Sequence, residues 1–265
     1  MLNRLKRIVD QKLRRSTAVY CGNNLVLTRL RTGQKMYVDS RDRSLAPHLI
    51  MDGDWEPWIA DVVRNHVKPG MSVVEVGANV GFYSLLIARA VSPTGKLRSF
   101  EANPHLATLV QQNLHINGHD PYSESVLVSA MAVADTEGPR KFYTFDAYKG
   151  GSSLLDVASV GADQRAEIEV PCTTLDIALA DFGPIDFMKI DAEGAEIMIL
   201  TGAAEVIRRS PNMRMVIEFQ PKQELYDLLT GHGFKISPIT IDKPLAPASF
   251  AEMARIGTCD ALISR

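Results

Sequence analysis

The sequence predicts an α/β fold: a doubly wound, mostly parallel seven-stranded sheet with an N-terminal extension. Three observations carry that expectation. From residue 72 onward, short apolar β-rich runs alternate with longer helical patterns. The first such run ends in a turn, Gly77-Ala78-Asn79-Val80-Gly81, that leads at once into a helical pattern. The 265 residues, 46% hydrophobic and 23% charged, suffice for one sizeable soluble domain.

Residues 1–54 read as the extension and residues 55–265 as the main domain. The first sixteen residues carry Arg4, Lys6, Arg7, Lys12, Arg14 and Arg15 among Leu2, Leu5, Ile8, Val9 and Leu13 at helical spacing. Two readings stand: a terminal helix packed on its own domain, or a basic amphipathic helix resting on a membrane surface or a partner. Charges interrupt the segment too often for a signal peptide, and no stretch approaches the roughly 20 apolar residues of a membrane span. Leu25-Val26-Leu27 and Lys35-Met36-Tyr37-Val38 flank Thr32-Gly33, which suggests a hairpin, and the extension as a whole suits a lid. Residues 55–67 follow as a helix that Pro69-Gly70 ends.

The regular alternation then places strands at 72–76, 96–101, 125–133, 186–191 and 214–219. Helices are expected at about 82–90, 106–117, 195–208 and 224–231. Residues 136–171 break the rhythm and suggest an inserted hairpin with a Gly/Ser tip. Two last strands, 234–239 and 260–264, suit an antiparallel pair at one edge.

In such a sheet, ligands gather at the carboxyl ends of the strands. Gly77 and Gly81 allow a tight turn and a close helix start, leaving backbone N–H groups free to face an anion. The dinucleotide pattern of three glycines fails, because Asn79 and Phe82 occupy its second and third positions, and no phosphate-binding P-loop occurs. Glu101 follows Gly81 at the distance at which an acid accepts both hydroxyls of an unphosphorylated ribose. Together these features point to a nucleoside-containing cofactor. Met131 and Ala132, after the third strand, are candidates for flanking its base.

Composition narrows the partners. A net charge of −2 and the absence of a basic stripe with interleaved aromatics argue against nucleic acid. Cys21, Cys172 and Cys259 are isolated, which suggests neither a disulfide framework nor a zinc site and fits a reducing cytoplasmic location. An oligomer is compatible with the sequence but nothing in it demands one.

At this point the chain resembles a known group. Val74-Glu75-Val76-Gly77-Ala78-Asn79-Val80-Gly81-Phe82-Tyr83-Ser84, Phe100-Glu101-Ala102-Asn103-Pro104 and Ala132-Val133-Ala134-Asp135 are similar to segments of the FkbM methyltransferases. So is Lys189-Ile190-Asp191-Ala192-Glu193-Gly194-Ala195-Glu196, the most specific stretch. Asp52-Gly53-Asp54-Trp55-Glu56-Pro57, Gly150-Gly151-Ser152-Ser153-Leu154 and Thr174-Leu175-Asp176 match the family's layout as well. The resemblance covers about residues 50–220 and implies a Rossmann-like methyltransferase sheet using S-adenosyl-L-methionine. It implies O-methylation, often of polysaccharide sugars or secondary-metabolite hydroxyls, and hence a small-molecule or glycan acceptor. Glu75 stands where many such enzymes have Asp. The resemblance implies that Glu75 lies near the methionine ammonium. It assigns cofactor binding to Glu75, Gly77, Ala78, Asn79, Gly81, Phe82, Tyr83, Glu101, Asn103, Met131 and Ala132.

Asp191 and Glu193 follow the fourth strand and Glu218 lies near the end of the fifth, so topology brings the three carboxylates together. A hydroxyl is a poor nucleophile near neutral pH and needs a positioned base or a metal. Asp191 is the first candidate, then Glu193 and Glu218, with Lys189 as a pairing partner that tunes one of them. Three acids fall short of a metal signature, so no metal is expected. His48, ahead of the Asp52–Pro57 stretch, is a weaker catalytic candidate, and Tyr148, Lys149, Ser152 and Ser153 are candidates for acceptor recognition. The competing functions are a nicotinamide-dependent oxidoreductase and a catalytically silent nucleoside-binding module.

Overall fold

The computed structural model describes residues 18–145, 149–155, 165–242 and 244–265. The basic segment 1–16, Tyr148 and the side chain of Lys149 lie outside the described residues.

The chain opens with an antiparallel meander of β1 (Val19–Gly22), β2 (Leu25–Arg29) and β3 (Lys35–Asp39). The hairpin across Thr32-Gly33 joins β2 to β3 as expected. The first strand was not foreseen; it is joined to β2 through Asn23-Asn24, both in the left-handed region at φ 49° and 61°, the geometry of a tight hairpin turn. A short helix, Ala46–Met51, also unforeseen, precedes the expected one at Pro57–His66.

The free edge of β3 lies along the helix Pro104–Ile116 and is closed by two asparagines one helical turn apart. The Tyr37 N–H donates to Asn113 Oδ1 (2.6 Å) and the Asn113 amide donates to the Tyr37 carbonyl (3.0 Å). Asn117 repeats the exchange with Lys35 (3.0 and 2.7 Å). Four residues of helix rise about 6 Å and two residues of strand about 6.6 Å, so the spacings match. Asn113 is fully buried and also donates to the Val80 carbonyl (2.8 Å), tying the meander to the glycine turn.

The main sheet contains seven strands in the order β12-β13-β11-β10-β4-β5-β6. These are β4 (Ser72–Val76), β5 (Lys96–Glu101), β6 (Val126–Ala130), β10 (Phe187–Ile190), β11 (Arg214–Phe219), β12 (Lys235–Pro238) and β13 (Cys259–Ser264). All pairs are parallel except those made by β13, which runs antiparallel between β11 and β12. Val73, Val74, Met188 and Ile190 have no exposed surface, as strands covered on both faces require. Helices Phe82–Val91 and Pro104–Ile116 pack with one apolar cluster, and Glu196–Thr201, Ala204–Arg209 and Gln223–Gly231 with another. Strand order reverses between β4 and β10, which places the switch point there.

Two elements differ from the sequence reading. The expected strand 125–133 breaks at Met131: β6 stays in the main sheet, while β7 (Ala132–Val133) joins the inserted hairpin of β8 (Gly138–Phe145) and β9 (Arg165–Thr173) in a third sheet. The expected helix 195–208 is two helices. The Gly202 carbonyl accepts from the Asp176 N–H (2.9 Å) instead of continuing the helical ladder, and a side chain at Gly202 would meet the Ala134 carbonyl at 2.2 Å. The Asp176 carboxylate then accepts from the N–H groups of Glu205 and Val206, starting the second helix. A further helix, Phe250–Ile256, carries a capping box from Ser249 and Glu252 that the sequence reading passed over. Among the described residues no helix is long and apolar enough to cross a membrane.

Replacing Asn113 with Ala removes all three of its bonds and orphans buried backbone groups. The expected loss is about 2–4 kcal/mol, read from urea unfolding; a loss under about 0.5 kcal/mol would contradict the clamp described above.

Candidate active site

The ends of β4 and β10 nearly touch. A Cβ at Gly77 (φ 81°) would lie 1.7 Å from the Asp191 carbonyl oxygen, so both the turn and the close approach require glycine. The chain then passes through Asn79 (φ 52°), whose N–H donates to Glu101 Oε2 (2.7 Å). Glu101 Oε1 accepts from the Asn103 N–H (2.8 Å). Burial pushes the Glu101 carboxyl up to about 7 even though both N–H bonds oppose the shift. Asn79 Oδ1 is buried without a hydrogen-bond partner, a polar atom set beside the cavity that a ligand donor would satisfy.

These residues open onto a cavity of about 410 Å³ at the switch point, the size and place of a small-molecule site. Gly77, Ala78, Asn79, Phe82, Tyr83 and Glu101 line one side, with Met131 and Ala132 nearby. Asp191, Glu193 and Glu218 line another. Three expected contact residues stand behind the wall. Glu75 is fully buried and accepts from Ser84 Oγ (2.5 Å) and Ser99 Oγ (2.7 Å), so its carboxylate supports the turn and does not line the cavity. Gly81 packs its helix start against Val110, and the Asn103 side chain caps the next helix through His105 and Leu106.

The sequence reading missed several lining residues. Ser44, Leu45, Trp55 and Glu56 enter from the N-terminal side, and Asp260 comes from β13, directly opposite Glu218. Asp260 is detectable only once that strand pairing is known. The Gly150–Ser152 strap also borders the cavity, and Ser153 Oγ donates to the Glu193 carbonyl (2.8 Å). His48 is exposed, lies 3.6 Å from Asp52 and does not line the cavity, which removes it as a catalytic candidate.

At the centre lies Lys189, only 2% exposed, donating to Asp191 Oδ2 (2.8 Å) and standing 4.4 Å from the centre of the Tyr83 ring. Burial opposes its charge, but Asp191, Asp260 and Glu75 outweigh that and raise its pKa. Burial, followed by neighbouring acids, pushes Glu193 up to about 7 and Glu218 up to about 8. Asp260 rises to about 7, by burial and by Asp191 against the opposing pull of Lys189. Glu56 is raised too, by burial and then Asp191, while Tyr83 OH donates to its Oε2 (3.3 Å). Five described non-glycine residues adopt positive φ. Two form the Asn23-Asn24 turn, and the other three, Glu56, Asn79 and Glu193, all line this cavity. Strain of this kind concentrates at working sites. Among the described residues no group of three His, Cys, Asp or Glu is arranged to hold a metal ion.

A switch-point cavity, a glycine turn without the dinucleotide pattern and an acid at the end of β5 define the class of Rossmann-like domains that hold a nucleoside-containing ligand. The methyltransferase FkbM domain matches residues 75–236, more than half of the chain, and the chain belongs to that family. Its cofactor is S-adenosylmethionine. The cavity suits that group: Glu101 has a buried carboxylate for hydroxyls, Met131 and Ala132 offer apolar surface, and Asn79 Oδ1 awaits a donor.

Among curated proteins, the chain is 25% identical over 214 residues to the AMB antimetabolite synthetase AmbE of Pseudomonas aeruginosa. That match covers 64% of this chain and 10% of AmbE. It is 25% identical over 195 residues to the methyltransferase sdnD of Sordaria araneosa, covering 62% of this chain and 74% of sdnD. It is also 36% identical over 55 residues to a protein-L-isoaspartate O-methyltransferase of Methanopyrus kandleri, covering 21% and 24%. The chain thus spans a tenth and about a quarter of AmbE and the Methanopyrus protein. A crystal structure of methyltransferase FkbM from Methylobacillus flagellatus aligns at 13% identity and a TM-score of 0.47, covering 74% of this chain and 44% of that one.

Carboxyls raised in the folded state bind more protons than in the unfolded chain, so their contribution is full below about 4.5 and is lost as pH rises through about 7 to 8. The ligand-free protein should therefore melt several degrees higher at pH 6 than at pH 8.5, and Glu218→Gln should flatten that slope. A higher melting temperature at pH 8.5 would contradict these shifts.

Proposed function

We propose that the protein is an S-adenosylmethionine-dependent O-methyltransferase acting on a hydroxyl of a carbohydrate or secondary-metabolite acceptor. The observation that carries this reading is Asp191: its Oδ2 is fixed by the buried Lys189 ammonium while the carboxylate, 36% exposed, faces the cavity. A fixed carboxylate beside a cofactor site is placed to accept the proton of a hydroxyl, geometry being the first requirement of a general base. Glu193 and Glu218, whose carboxyls burial pushes up to about 7 and about 8, line the same cavity, and a carboxyl that can hold or release its proton there suits a polyhydroxylated acceptor. The likeness to an antimetabolite synthetase supports a secondary-metabolite setting.

Gly77, Ala78, Asn79, Phe82, Tyr83, Glu101, Met131 and Ala132 hold the cofactor, and Glu75, Gly81 and Asn103 keep the turn and the next helix in place. When bound, the cofactor supplies a methyl group activated by a sulfonium. With that group bound, Asp191 would hold the acceptor hydroxyl and take up its proton, and Lys189 would keep the Asp191 carboxylate in place. In this reading residues 1–54 are an N-terminal extension of the domain of residues 55–265, and the basic sequence pattern of residues 1–16 suits a peripheral membrane contact.

Labelled cofactor incubated with monosaccharides, oligosaccharides and hydroxylated polyketides should transfer methyl to oxygen. Asp191→Asn should cut kcat/KM by about 10²–10⁴ while S-adenosylhomocysteine binding changes by less than about 3-fold. Transfer to amines alone, or an unaffected Asp191→Asn enzyme, would overturn the proposal.

A further inference from the structure

We infer that Glu56, Glu193, Glu218 and Asp260, lining one cavity with the single ammonium of Lys189, make the cavity discriminate by charge between the sulfonium cofactor and its thioether product. This rests on the cofactor assignment and goes beyond it, because neither Glu56 nor Asp260 belongs to the turn or the β5 acid that define the class.

The charge inventory of the wall is one-sided. Lys189 is the only lysine, arginine or histidine among the described residues lining the cavity, and it is already committed to Asp191 at 2.8 Å. The acids come from separate elements: Glu56 from the start of the helix Pro57–His66, Asp191 and Glu193 after β10, Glu218 from β11 and Asp260 from β13. Glu101 on β5 is bonded to two backbone N–H groups, Glu75 on β4 to two serines, and Glu196 to the N–H groups of Ala192 and Gly194. Tyr83 keeps its proton, pushed further up by burial and Glu56. Glu218 Oε2, by contrast, is buried with no partner. Glu56 and Glu193 hold their places at positive φ, so two of these carboxylates are kept in the wall at a backbone cost.

Such a wall sets five acids besides Glu101 against one ammonium and favours any added positive charge. In an enclosed site Coulomb interactions fall off slowly and are weakly screened, so a cation anywhere in the cavity is felt by all of these groups. The sulfonium cofactor carries one more positive charge than the thioether that remains after transfer; the amino-acid portion is common to both. A cation stabilises the ionised carboxylates, and the neutral product returns the wall to its unfavourable balance. Methyl transfer therefore removes the charge that held the ligand, which favours product departure. As pH rises through about 7 to 8 the wall ionises, so affinity for the sulfonium form should rise relative to the product. Ionisation of the shared amino group cancels in that ratio.

The test is titration calorimetry of the full chain with S-adenosylmethionine and with S-adenosylhomocysteine at pH 6 and pH 8.5. For the wild type, the ratio of product Kd to cofactor Kd should rise at least about 10-fold between the two pH values. In Glu56→Gln/Asp260→Asn the rise should shrink to about half of the wild-type value, Glu193 and Glu218 carrying the remainder, with the Kd of the product itself little changed. A wild-type ratio independent of pH overturns the inference without needing any variant. A folded double variant that keeps the full rise overturns the role of these two residues. Binding of neither ligand to the wild type would instead overturn the cofactor assignment, and this inference with it.

Discussion

The Lys189 ammonium sits at the penultimate residue of β10, in the middle of the sheet, and everything around the cavity is arranged about it. A buried cation is tolerated only with partners close by. Asp191 supplies the direct one, the Tyr83 ring face a second, and Glu75 and Asp260 act at longer range. Each partner comes from a different element, so the charge is balanced only when β4, β10, β13 and the helix beginning at Phe82 are assembled. The same arrangement fixes one oxygen of Asp191 and leaves its carboxylate facing the cavity.

Steric contact complements this electrostatic centre. Gly77 lies so close to the Asp191 backbone that no side chain fits between them, which brings the glycine turn and the acidic strand end side by side. The turn is stabilised from the other direction by Glu101, whose oxygens each accept a backbone N–H, and from below by Asn113 on the Val80 carbonyl. A ligand held by the turn therefore meets the carboxylates of β10 and β11 without any large movement of the sheet.

Much of this was legible in the sequence because it is local. The glycines of the turn, the alternating apolar runs and the strand-end acids Glu101, Asp191 and Glu218 are properties of single segments, and their spacing carries them. What escaped depends on tertiary pairing. Asp260 enters the cavity only because β13 inserts antiparallel beside β11, and Glu56 enters only because it takes a left-handed backbone ahead of Pro57. The split at Gly202 follows from Asp176 capturing its carbonyl, a contact across 26 residues. Glu75 shows the converse: the family pattern implied a ligand contact, while Ser84 and Ser99 take up its carboxylate in the interior.

Backbone hydrogen exchange with and without S-adenosylhomocysteine tests most directly whether the switch-point cavity is the cofactor site. Protection should increase at residues 77–81, 101–103 and 191–194 and stay unchanged in a separate surface groove that Thr108, Gln111, His115, His119 and Tyr122 line. Protection confined to that groove, or none at the glycine turn despite measurable binding, would contradict the account.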